Sequence, residues 1–199
     1  MEETNNKQLN EKESLELIAQ MIRNTRQKME EGSGTLFLIW GYITVVVTML
    51  VWTIVCYTQN PYYQYFWFLL PIAGSILTII YKKKENRKPR ATTYVDRIIN
   101  YVWWVVGTSG FILSVISIVS YSFPILFVIV LIMGIGTTLT GLIISFRPLV
   151  ISGILGMAVS IVLSFLSWKF QLPLFSLIFV FMMIIPGHYL NYKAKKNNV

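Results

Sequence analysis

The chain has 199 residues, 55% hydrophobic and only 13% charged, with a mean hydropathy of +0.60 and a net charge of +8. That balance excludes an ordinary soluble domain, in which about a quarter of the residues are charged, and a single cysteine, Cys56, excludes an intrachain disulfide or a cysteine metal cluster. The basic charge does not point to nucleic acid: no groove-reading motif accompanies it, and the cations lie between apolar runs, where they hold membrane spans in orientation.

Residues 1–34 are polar, with five basic and seven acidic groups. No apolar core of a cleavable signal peptide is read there, so the first span is expected to act as the targeting signal. Asn10 and Glu13 have capping-box spacing, and Glu11, Glu13 and Glu16 precede Arg23, Arg26 and Lys28, as a helix dipole favours. Leu15, Ile18, Ile22, Thr25 and Met29 recur at steps of three and four, and Leu17 and Met21 widen the stripe. The pattern predicts an amphipathic helix that Gly32-Ser33-Gly34 ends. A helix lying on anionic lipid would be basic, whereas this segment is net acidic, so a protein surface is the better partner. That surface is the basic loop of the same chain, a second copy, or another cytosolic protein.

Six apolar runs follow, and the predicted fold is all-α, a polytopic membrane protein with a cytosolic helix and linker over 1–34 and a six-helix bundle over 35–199. The spans are expected at about 36–55, 62–81, 98–119, 125–146, 149–168 and 173–190. Trp40 and Tyr42 mark the inner interface of the first, Trp52 and Tyr57 its outer one, and the aromatic opening of the second, Tyr62 to Trp67, reads as an interfacial belt. Arg147-Pro148 is expected as an inner turn and 169–172 as an outer one, with Pro173 and Pro186-Gly187 trimming the last span. The loop 82–97 carries seven Lys or Arg against two acids: Lys82, Lys83, Lys84, Arg87, Lys88, Arg90 and Arg97. Threaded in this way, the chain puts sixteen basic residues inside and Lys169 alone outside, which predicts cytoplasmic N- and C-termini.

Small residues forecast tight helix contacts. Ser152, Gly156, Ser160 and Ser164 step by four along the fifth span, while Gly107, Gly110, Ser114 and Ser117 in the third, and Gly134, Thr138, Gly141 and Ser145 in the fourth, make similar stripes. The spacing leaves open whether these faces meet within the chain or between copies.

Catalytic parts are scarce. From Ile98 to Ile185 the only charges are Arg147 and Lys169, both in predicted turns, so proton relays, carboxylate ion sites and voltage sensors lack their usual residues. No zinc, nucleotide-binding or paired-carboxylate motif occurs, and no cofactor is expected. Gly107-Thr108-Ser109-Gly110 resembles the GxSG motif of rhomboid intramembrane proteases, with His188 as the partner base. A Ser–His pair must touch, yet Ser109 is predicted about 16 Å deep in the third span and His188 near the inner end of the sixth. The serine is also on the third span where that family has it on the fourth, so an enzyme is not expected.

The junction Gly-Ser-Gly-Thr-Leu-Phe-Leu-Ile-Trp-Gly-Tyr, residues 32–42, resembles that of a group of small six-span bacterial inner-membrane proteins with an acidic amphipathic N-terminal helix. The resemblance implies a bacterial inner-membrane location and nothing catalytic. The leading reading is an interaction or regulatory subunit that presents its N-terminal helix and basic loop, through Leu15, Ile18, Ile22, Met29, Lys82, Lys83, Lys84, Arg87, Lys88 and Arg90, to a cytosolic protein partner. The alternative is a small-molecule transport component. Six spans, this length and a basic balance are similar to the S-components of vitamin transporters, and a helix before six spans is similar to ABC-2 type permeases. The first span lacks the alanine pair of S-components, and the chain is short for a permease.

Overall fold

The computed structural model describes residues 11–58, 61–85, 94–119 and 123–196. Among them the chain is helical with no strand, as apolar runs in lipid require, because every backbone polar group must be satisfied within its own segment. Helix α1 is Glu11–Thr58; a 3-10 segment, Pro61–Phe68, leads into α2, Leu69–Glu85; α3 is Tyr94–Val119, α4 Ile125–Ile143 and α5 Arg147–Leu163. Helix α6, Trp168–Phe179, passes through a π-helical turn, Val180–Ile184, into α7, Ile185–Lys196. Five stretches are long and apolar enough to cross a membrane: Gly34–Thr58, Tyr65–Lys84, Tyr94–Ser117, Ile125–Ile143 and Lys169–Lys196. The apolar α5 has 17 residues, or about 25 Å, a little short of a hydrocarbon core of roughly 30 Å.

Several expected boundaries move. Gly32-Ser33-Gly34 does not end a helix, and the division between residues 34 and 35 falls inside α1. The loop expected over 82–97 is shorter at both ends, since Lys82, Lys83 and Lys84 form the last turn of α2, and Asp96 and Arg97 lie in the first turn of α3. Arg147-Pro148 is not a turn but the start of α5, where a proline loses nothing because the first N–H groups of a helix have no intrahelical partner. The turn before it is Ile144 to Phe146, closed by Phe146 N–H donating to Gly141 O at 2.8 Å and Ser145 N–H to Leu142 O at 3.1 Å. Ser145 is left-handed there, with φ of 54°, in a position glycine usually fills. The turn after α5 is residues 164–167 rather than 169–172.

The last span also runs longer than its prolines suggested. Pro173 lies inside α6, and Pro186 sits in α7 directly after the π turn. Pro186 cannot donate to the carbonyl four residues earlier, that of Met182. The hydroxyl of Ser152 on α5 donates to that carbonyl at 3.3 Å, so a neighbouring helix and a local π adjustment together accommodate the proline.

The core lies between α1, the rod from α6 to α7, and the α4–α5 hairpin. Along α1 the residues Gly34, Phe37, Gly41, Thr44, Thr48, Val51 and Val55 are all buried, at steps of three and four that hold one face against a neighbour. This face meets the rod antiparallel. Gly34 faces Gly187, Gly41 faces Met183 and Ile184, and Trp52 Nε1–H donates to Lys169 O at 3.0 Å. The other side of the rod, with Phe175, Phe179, Met182 and Leu190, joins Val130, Ile144, Leu149 and Leu163 of the hairpin in one cluster. Helix α2 packs on α1 and α3 on α4, at the margin of the bundle.

Candidate interaction surface at the basic end

The end of the α1–α7 seam nearest the basic residues is a close backbone crossing. A Cβ added to Gly34 would stand 3.2 Å from Gly187 O, and one added to Gly187 would stand 3.3 Å from Gly34 O, so the helices approach as only small residues allow. Asn191 Nδ2–H donates to Thr35 Oγ1 at 3.4 Å, and Tyr42 Oη shares a 2.7 Å hydrogen bond with His188 Nε2, their rings edge to face. His188 is thus engaged with α1. Ser109 lies on α3, which packs on α4, so the structure does not bring the two together.

From this crossing α1 continues without a break back to Glu11, so residues 11–33 prolong the span by about 34 Å. Leu15, Leu17 and Ile18 on it are 67%, 49% and 52% exposed. At 100° per residue Leu17 and Ile18 each lie about 130° around the helix from the mean direction of Gly34 and Phe37, and Leu15 about 70°. Leu17 and Ile18 therefore do not continue the side that the bundle buries. Ile22 and Met29 fall on the same helix, and their side chains lie outside the described residues.

The cations collect at this same end. Lys82, Lys83, Lys84, Arg97, Arg147, Lys195 and Lys196 are exposed, and Lys193 Nζ stands 5.4 Å from the centre of the Phe146 ring, which also packs on Tyr189. Lys82 Nζ donates to Asn100 Oδ1 at 3.1 Å, tying the end of α2 to the start of α3. Arg87, Lys88 and Arg90 lie outside the described residues. Among the described residues no three His, Cys, Asp or Glu side chains gather as metal ligands.

The residues expected to pack helices divide sharply. Gly134 and Gly141 face α5: a Cβ on Gly134 would be 3.1 Å from Gly153 O, and one on Gly141 would be 2.8 Å from Val150 N. Gly156 meets Met182 Sδ at 2.7 Å by the same construction, and Ser152 and Ser160 are turned to backbone carbonyls. Gly110 has only Ile129 in ordinary contact, and Gly107 has nothing within 4 Å. Sequence reasoning passed over Gly34, Gly41, Gly153 and Gly187. The spacing of Gly34, Gly41 and Thr48, seven residues each, was the available signal for the α1 seam. No protein-family model, curated protein or solved structure matches the chain.

Proposed function

We propose that the protein is an integral subunit of a bacterial inner membrane, with six spans and both termini in the cytosol, that presents the N-terminal part of α1 and the basic end to a cytosolic protein. It has an interaction or regulatory role rather than a catalytic one. The observation that carries this reading is the continuity of α1 from Glu11 to Thr58. Load placed on Leu15 and Ile18 reaches the Gly34–Gly187 crossing through hydrogen-bonded helix, with no joint between the partner's surface and the bundle core.

Orientation rests on charge, since the exposed cations crowd one end and a span is inserted with its Lys and Arg on the cytosolic side. The short α5 counts as the sixth span because it returns along α4 for most of its length. Two measurements test the proposal. In mild detergent the full chain is expected to bring down a cytosolic protein that Leu15→Asp with Ile18→Asp releases while the bundle keeps its melting temperature. A partner retained by that variant, and by a chain lacking residues 1–31, refutes the interaction reading. A cysteine placed at Lys83 is expected to label only from the cytosolic side, and labelling from outside refutes the orientation.

A further inference from the structure

Helices α2 and α3 touch at one end and part at the other. Lys82 donates to Asn100 at their inner ends, but among the described residues α2 otherwise packs on α1 and the 3-10 segment, and α3 on α4. The face of α3 that carries Asn100 continues, at steps of three and four, through Trp104, Gly107 and Phe111. Trp104 is 75% and Phe111 59% exposed, and Gly107 has no neighbour within 4 Å. On α2 the face of Lys82 continues to Ile79, Ser75 and Ile72, all exposed. The two faces bound a wedge that opens away from Lys82, with Trp40 and Phe37 of α1 behind it, the first bonded to Thr78 of α2 and the second edge-on to Trp103 of α3.

We infer that this wedge is a binding site for one anionic phospholipid, with its phosphate at Lys82 and Arg97 and an acyl chain lying between α2 and α3 over Gly107. The inference rests on the reading of α2 and α3 as spans with their basic ends at headgroup level. Three features point to lipid rather than to another helix. The closed end is cationic: Arg97 lies one turn before Asn100, and the asparagine holds the Lys82 ammonium in place. The walls beyond are apolar and aromatic. From Asn100 to Phe111 the helix rises about 16 Å, close to the half-thickness of a hydrocarbon core of roughly 30 Å. An amphiphile has this order of charge and length, with a phosphate for the two cations that an apolar helix face would not supply.

The full chain, purified in mild detergent and incubated with equal amounts of phosphatidylglycerol and phosphatidylcholine, is analysed for retained lipid by native mass spectrometry. Phosphatidylglycerol is expected in excess, with the preference falling roughly fivefold for each of Lys82→Gln and Arg97→Gln. Gly107→Trp, whose side chain enters open space, is expected to reduce retention of both lipids without lowering the melting temperature. Equal retention of the two lipids by the unmodified chain, or a preference untouched by all three variants, overturns the site. So does a dimer that Gly107→Trp dissociates, since a second copy would then fill the wedge. A chain that leaves the membrane fraction overturns the reading of the spans instead, an outcome separate from loss of headgroup preference in a protein that stays in the membrane.

Discussion

The rod from α6 to α7 and the stretch Tyr65–Lys84, made of α2 and the end of the 3-10 segment before it, are both apolar enough to cross a membrane, yet 56% of the rod's most apolar part is buried in the protein and only 6% of that of Tyr65–Lys84. In water this difference would be read from hydrophobicity. In lipid it cannot be, because a leucine facing acyl chains is as well solvated as one facing another helix. What separates the two is the presence of partners that come close. The rod has Gly187 against Gly34, Gly41 against Met183 and Ile184, and Gly156 against Met182. Helix α2 has one such place, Gly74 beneath the Trp40 ring, reinforced by Trp40 Nε1–H donating to Thr78 Oγ1 at 3.1 Å.

The same substitution at different sites breaks or confirms that contrast. Gly153→Leu has the largest expected effect, because even a Cβ would stand 2.9 Å from both Gly134 O and Thr138 N, and neither backbone atom can swing away. A loss of about 3 kcal/mol or more, seen as a collapse of the thermal transition in detergent, is expected. Gly107→Leu, in open space, is expected to leave the transition within about 0.5 kcal/mol. Should both variants melt alike, close approach is not what holds the core.

Gly74→Leu falls between them. It is expected to free α2 from α1 at a cost of about 1–3 kcal/mol, making residues 69–85 accessible to proteolysis while the rod and hairpin stay protected. Ser152→Ala removes the hydroxyl that donates to Met182 O beside Pro186; a loss of about 1 kcal/mol is expected in the same melting assay. Thr137 runs the other way. It is fully buried with no hydrogen-bond partner for its hydroxyl, so Thr137→Val is expected to be neutral or to stabilise by about 1 kcal/mol. The smallest effect is expected of Ser145→Gly, which relieves the left-handed backbone at the α4–α5 turn and adds about 0.5 kcal/mol.

For function the contrast runs between two stretches of α1. Thr44, Thr48 and Val51 are buried against the bundle, while Leu15, Leu17 and Ile18, on the same continuous helix, are exposed. That the extension is helical was legible from its spacing, because helical periodicity needs nothing beyond the segment itself. Its continuity with the span was not. Gly32-Ser33-Gly34 reads as a stop by propensity, but Gly34 is where α7 crosses, and a packed crossing outweighs a propensity of about 1 kcal/mol. The same trade bears on Pro186-Gly187, read as trimming the last span when Ser152 on another helix sustains it there and Gly187 completes the crossing.

The order of residues alone determined that this chain is built of helices, where its apolar stretches lie and that its cations gather between them, because backbone hydrogen bonding in an apolar medium leaves no other regular structure and ionised groups do not enter it. Only the tertiary structure decided which faces turn inward. That choice depends on how closely two backbones can approach at Gly34, Gly134, Gly153 and Gly187, and on which carbonyl a serine one helix away can reach. Both are properties of pairs of helices, and neither is written in one of them.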